Sequence, residues 1–151
     1  MATQSPSNKR GFKQGYYVPK RPEKYMGDIN KIRYMSSYEL SVHQFLDNNP
    51  NVIRWGSEVI AIPYVKPTDK RIHKYYPDYY VEFRDKAGDI RRELWEVKPL
   101  TQTQQPRSNH KHVLYEQVTF AINTAKWQYA QAWCAERGIS FRILTEKSVF
   151  K

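Results

Sequence analysis

The stretch from residue 75 to 98 leaves this chain few ways to fold. YYPDYYVEF (75–83) and IRRELWEVK (90–98) are dense in β-branched and aromatic residues, and Asp85-Lys86-Ala87-Gly88-Asp89 separates them. Two such runs around a short glycine-containing loop form a β-hairpin. Side chains alternate across a strand, so Asp78, Tyr80 and Glu82 share one face, as do Arg92, Leu94, Glu96 and Lys98. Folding the hairpin about Ala87 sets Glu82 opposite Arg92, Tyr80 opposite Leu94 and Tyr79 against Trp95, all favourable cross-strand neighbours. The same register sets Asp78 opposite Glu96. Directly opposed carboxylates have Cβ atoms about 4.5–5.5 Å apart and repel each other.

A fold tolerates such a pair when positive charge sits between its members, and a divalent cation is the obvious candidate. Lys98 adds an ammonium group on the same face. Two carboxylates and a lysine on adjacent strands suit phosphodiester hydrolysis, in which hard oxygen ligands hold a metal and the lysine orients water or stabilises developing charge. The competing reading is a surface hairpin with solvated charges, since a slip of one residue would move every side chain to the other face. The hairpin alone leaves both open.

The rest of the chain supplies a frame. Tyr38, Val42, Phe45 and Leu46 recur at helical spacing after Ser36-Ser37, and Asn48-Asn49-Pro50 ends the run. Residues 52–55 and 58–65 read as strands. After a polar loop (101–110), a long helix is expected to bury Leu114, Val118, Ala121, Ala125, Tyr129 and Ala132 on one face. Gly138 is placed to end that helix in a left-handed conformation, and ISFRILTE (139–146) reads as a last buried strand. The order of elements predicts an α/β fold with a mixed central sheet flanked by helices.

Charge points to the partner. The 151 residues carry a formal +10, and a protein this basic attracts polyanions because neutralising phosphates releases condensed counterions. A net +6 of that falls within residues 1–33, interleaved with Tyr16, Tyr17 and Tyr25. Residues 1–30 therefore read as an extended basic arm on a domain spanning 31–151. Lys9, Arg10, Lys13, Lys20, Arg21 and Lys24 are its candidate nucleic-acid contacts; a solvated arm that aids solubility is the plainer alternative. The opening MATQSPSNKRGFKQ has no apolar stretch behind its charges, so no secretory signal is expected, and no run is long and apolar enough for a membrane span. Cys134, the single cysteine, can form no internal disulfide and reads as a small buried helix residue. His110 and His112 lie close together without a nearby cysteine, a poor match to a structural zinc site. Lys126 and Trp127 read as a solvated lysine and a core tryptophan, with reach of Lys126 to the hairpin or to DNA as the alternative.

Pro77-Asp78 followed by Glu96-Val97-Lys98 resembles the PD-(D/E)xK signature of the restriction-endonuclease-like nucleases. The surrounding sequence narrows the likeness. SSYEL (36–40), WGSEVIAIPY (55–64), YYPDYY (75–80) and ELWEVKP (93–99) together resemble the head-completion nucleases of T-even-type tailed phages. They are similar, more distantly, to the endonuclease subunit of Tn7-type transposases. NTAKWQYAQAWCAERGISFRILTE (123–146) resembles the C-terminal half of both groups, and GFKQGYYVPKRPEKYMGD (11–28) the phage group alone.

That resemblance implies a restriction-endonuclease-like core in which Asp78, Glu96 and the backbone carbonyl of Val97 hold Mg²⁺, with Mn²⁺ able to substitute, and Lys98 is the catalytic lysine. Glu39 would join as an accessory acid and further metal ligand. Ser36-Ser37-Tyr38-Glu39 is also a capping box, and the two roles are compatible. Met35 and Tyr38 depart from the Arg and Trp of the phage pattern without touching an acidic or lysine position. The implied function is metal-dependent hydrolysis of double-stranded DNA that finishes packaged DNA before tail joining. It would act in the host cytoplasm or on the virion, with portal, head or neck proteins as further partners and no membrane. Two alternatives stand beside it: a non-enzymatic virion or neck component that keeps the fold for binding DNA, and a transposase-type endonuclease subunit. The second would be expected to bring an additional domain.

Overall fold

The computed structural model describes residues 14–107 and 113–148. Lys9, Arg10, Lys13, His110 and His112 lie outside the described residues. The elements in order are β1 (Gly15–Tyr16), a 3-10 turn at Pro22–Lys24, β2 (Arg33–Tyr34), α1 (Ser37–Asn48), β3 (Val52–Ser57), β4 (Ile62–Val65) and β5 (Ile72–Tyr75). Then follow β6 (Tyr79–Arg84), β7 (Ile90–Val97), a 3-10 turn at Leu100–Thr103, α2 (Val113–Ala135) and β8 (Ser140–Leu144). Four strands form a mixed sheet in the order β3-β6-β7-β8. β7 and β8 run parallel, with Glu96 opposite Ile143 and α2 lying between them in the chain. β6 and β7 are joined by a turn too short for a crossover, so they are antiparallel. The α/β architecture with a mixed sheet is thus the one expected.

Among the described residues the chain groups into two compact units. One runs to Ser57 and takes in Val81–Arg91; the other comprises Glu58–Tyr80 and the residues from Arg92 onward.

In the first unit, Ser36 caps α1 by accepting from the Glu39 backbone N–H at 3.1 Å, a contact that stabilises a helix by about 1 kcal/mol. Val42 and Leu46, one turn apart, are fully buried. They share the core with Trp55 of β3, whose ring lies 4.8 Å from Tyr25 and 5.4 Å from His43, centroid to centroid. The basic segment is tied to this core. β1 pairs with β2, and the Tyr17 hydroxyl donates to Asp47 Oδ2 at 2.6 Å. Asp47, fully buried near the end of α1, also accepts from the Lys20 and Arg21 backbone N–H groups at 2.7 and 3.0 Å.

His43 is buried and exchanges a 2.9 Å hydrogen bond between Nε2 and the Arg33 carbonyl. Burial holds its pKa below the ordinary 6.5, against the upward pull of that hydrogen bond and of Glu39. A depressed folded pKa means the unfolded chain binds the proton first. His43 therefore contributes stability that is present above pH 6.5 and is lost as pH falls below it. The difference in Tm between His43→Gln and the parent is expected to shift in the variant's favour between pH 7.5 and 5.5. A pH-independent difference would show that His43 does not titrate between the two states.

The hairpin tip fixes its register. Asp85 N–H donates to the Asp89 carbonyl at 2.9 Å, which centres the pairing on Ala87. Gly88 takes φ +89°, a conformation that L side chains rarely adopt.

In the second unit, β4 and β5 form a second hairpin with Ile62 opposite Tyr75, and α2 packs on β4 and β8. The face of α2 differs from the one expected. Leu114 is 73% exposed, and Val118 and Tyr129 are exposed as well. The inward stripe is Phe120, Asn123, Trp127, Ala130 and Cys134, of which Asn123, Ala130 and Cys134 are buried. Both stripes have helical spacing, and apolar periodicity favours the outer one because Asn123 interrupts the inner. Small side chains decide it, since Ala130 and Cys134 let the helix approach the strands closely. Cys134 is a buried free thiol, as expected, with its pKa pushed up by burial to about 11. Gly138, at φ +69°, ends the helix, and the Ile139 N–H returns to the Cys134 carbonyl at 2.9 Å. β8 is only half buried, where a buried strand is expected. Among the described residues, no helix is long and apolar enough to cross a membrane.

Candidate active site

The base of the β6–β7 hairpin brings Asp78, Glu96 and Lys98 together within the second unit. Residues 93–96 of β7 are buried on both faces, as a strand with neighbours on either side and cover above and below requires. Glu96 consequently carries a carboxylate into the interior; its side chain is 8% exposed. Two groups compensate. The Tyr75 hydroxyl at the end of β5 donates to Glu96 Oε1 at 2.8 Å, and Lys98 Nζ stands 3.5 Å from Oε2. Asp78, just before β6, accepts from the Val97 backbone N–H at 2.7 Å through Oδ2. That bond places its carboxylate between Glu96 and Lys98 along the strand.

Burial dominates the electrostatics. It raises the Glu96 pKa above 4.5, while the Tyr75 hydrogen bond and Lys98 pull it back. The Tyr75 hydroxyl is held far above its ordinary pKa, first by burial and then by Glu96, so it remains a donor. Asp78 acts on the same hydroxyl, and both carboxylates act on Lys126 of α2. The half-buried Lys126 ammonium lies 5.6 Å from the Tyr75 ring centroid and 5.9 Å from that of Tyr64.

Among the described residues no group of three or more His, Cys, Asp and Glu side chains forms a ready-made metal cage. The donors fit Mg²⁺ nonetheless. This ion keeps several waters and is commonly held by one or two carboxylates together with substrate phosphates. Asp78 and Glu96 supply two hard-oxygen carboxylates on neighbouring segments.

The remaining expected residues are placed differently. Glu39 lies in the first unit, where its carboxylate accepts from the Met35 backbone N–H at the start of α1, a capping arrangement. Lys20 and Arg21 present exposed side chains. Lys24 departs from the expectation of an open phosphate contact. It is 8% exposed, and its ammonium donates to the Asp47 and Asn49 carbonyls at 2.9 Å each, closing the end of α1. Tyr75 was not singled out by the sequence, because a tyrosine in a strand reads as core until the fold shows what its hydroxyl meets. Lys126 is not the solvated lysine that helical position alone suggests.

By comparison with known proteins, this domain falls among the endonucleases. The chain belongs to the family of TnsA-like endonucleases: the model of that family, described as the TnsA-like endonuclease N terminal domain, matches residues 49–146, which include Asp78, Glu96, Val97, Lys98 and Lys126. The particular likeness is to a phage protein. The head completion nuclease of Enterobacteria phage T4 is 39% identical over 140 residues, covering 87% of this chain and 90% of the relative. Both resemblances drawn from the motifs are therefore borne out.

Proposed function

We propose that this protein is a Mg²⁺-dependent endonuclease that cleaves double-stranded DNA during phage head completion, finishing packaged DNA before tail joining. It would work in the host cytoplasm or on the virion, alongside portal, head or neck proteins. The observation that carries the chemistry is the convergence of Asp78, Glu96 and Lys98 at the hairpin base, within the segment matched by the endonuclease family. The relative's name, head completion nuclease, supports the setting. Intact acidic and lysine positions favour catalysis over a purely DNA-binding role.

Asp78, Glu96 and the Val97 carbonyl would hold the ion. Mg²⁺ bound there would polarise the scissile phosphate and make water a better nucleophile. Lys98, drawn toward Glu96 at 3.5 Å, is positioned to donate to the attacking water or to a phosphate oxygen as negative charge builds. Tyr75 fixes the Glu96 carboxylate by its hydrogen bond and leaves Oε2 for other partners. Lys20 and Arg21, with Lys9, Arg10 and Lys13, would follow the DNA backbone without reading sequence.

The test is incubation with plasmid and linear DNA in Mg²⁺, Mn²⁺ or EDTA. Cleavage with either metal and none in EDTA is expected; cleavage undiminished by EDTA would overturn the metal assignment. In calorimetry, Asp78→Asn is expected to abolish measurable Mg²⁺ binding, and Mg²⁺ affinity unchanged from the parent would remove Asp78 from the ligand set.

A further inference from the structure

We propose that Lys126 is a second phosphate-binding cation of this site, receiving a non-bridging oxygen of the DNA backbone beside the carboxylates. This rests on the endonuclease reading and adds a substrate contact from α2. Lys126 is half-buried, and among the described residues it forms no ion pair; the carboxylate nearest a lysine here, Glu96, is paired with Lys98. Its ammonium is held instead over the faces of Tyr64 and Tyr75, at 5.9 and 5.6 Å. Ring faces attract a cation but do not replace the hydrogen bonds it loses with water.

Three features orient the group toward an anionic ligand. Lys66 in the β4–β5 turn and Lys98 just past β7 are near enough to repel it, so three cations share this neighbourhood. Asp78 and Glu96 attract it, which favours an ammonium near the site. Burial works against the Lys126 charge more strongly than these two carboxylates favour it, and the ring faces supply no hydrogen bond in return. A polyanion that brings its own phosphate to this spot removes that deficit. The β4–β5 hairpin extends the same surface, for Lys66, Lys70, Arg71 and Lys74 stand on it against Asp69, which is bonded to His73 at 2.8 Å. The ligand class is duplex DNA, met by a β-ribbon and one helix.

Lys126→Met removes the charge while keeping the alkyl stem that packs on the rings. Measured in EDTA, where binding is separated from cleavage, the slope of log affinity against log salt is expected to flatten by about 0.9, one duplex phosphate contact. Lys126→Arg is expected to keep the parent slope. With Mg²⁺ present, the Met variant should cleave more slowly even at saturating DNA. Amine labelling of the unmodified chain gives a second readout should the Met variant fold poorly: bound DNA is expected to shield Lys126 from acetylation. An unchanged slope in Lys126→Met, or equal labelling of Lys126 with and without bound DNA, overturns the proposal. If the full chain binds DNA yet cleaves it neither with Mg²⁺ or Mn²⁺ nor in EDTA, the endonuclease reading falls, and the EDTA slope still decides Lys126.

Discussion

Replacing Lys98 with alanine is expected to slow DNA cleavage by about a thousandfold while leaving DNA affinity nearly intact, because preorganised donors act where charge develops in the transition state. The geometry supports this separation. Lys98 Nζ lies 3.5 Å from Glu96 Oε2 and its side chain is 28% exposed, so the ammonium is anchored by the carboxylate yet open to a ligand. Its backbone N–H donates to the Leu144 carbonyl at 2.9 Å, a bond that alanine keeps, so the strand end should survive. Removing the ammonium also leaves Glu96 with the Tyr75 hydrogen bond and no adjacent Lys98 charge. Lys98→Arg serves as the control. It keeps a positive charge but moves and spreads it, so it should fold like the parent and recover only part of the rate. Single-turnover cleavage at saturating DNA, beside binding in EDTA, measures both quantities. Equal losses of affinity and rate in Lys98→Ala would make Lys98 a binding residue and leave the chemistry to other groups.

The part of this site legible in the sequence is the part built from local pattern. Alternation along 75–83 and 90–98, with a turn between them, gives the hairpin, and the Asp85–Asp89 bond centres it on Ala87 as the pattern implies. The spacing of Asp78, Glu96 and Lys98 then follows from strand geometry. What the pattern could not give depends on long-range contact. Tyr75 and Glu96 are 21 residues apart, and nothing in either neighbourhood announces that a tyrosine hydroxyl will meet a buried carboxylate. Lys126 becomes part of the site only because α2 turns Phe120, Asn123, Trp127, Ala130 and Cys134 inward. Periodicity favoured the stripe beginning at Leu114 instead. Helical spacing identifies a face, but the choice between two faces is made by how closely small residues let neighbours approach. Charge counting has the same limit. It groups Lys24 with Lys20 and Arg21, yet Lys24 is consumed by two helix-end carbonyls while its neighbours remain at the surface.

Asp47 is where the largest loss of stability is expected. Its carboxylate is fully buried and accepts from Tyr17 Oη and from the backbone N–H groups of Lys20 and Arg21, at 2.6, 2.7 and 3.0 Å. These three donors come from the basic segment, and the acceptor sits near the end of α1, so one side chain joins the two. Alanine would leave a buried hydroxyl and two N–H groups without their partner and would expose the Lys24 ammonium to its surroundings without Asp47's charge. A cost of about 3 kcal/mol is expected, which for a chain of this size lowers Tm by about 10 °C. Asp47→Asn should cost less, since its amide oxygen can still accept while its charge is gone. The consequence for DNA follows from the same contacts. Asp47 fixes the backbone at Lys20 and Arg21, whose side chains are exposed, and so holds their charges in one arrangement. Although Asp47 is an acid and would touch no phosphate, its removal should weaken DNA binding, because the two cations must then be ordered at the moment of association. Trypsin should cut the alanine variant faster after Lys20 than it cuts the parent, whereas the Arg21–Pro22 bond resists trypsin in both. Unchanged Tm and unchanged cleavage after Lys20 would mean that the segment is held by its other contacts, among them the edge-to-face Tyr25–Trp55 pair, the β1–β2 pairing and the Lys24 hydrogen bonds.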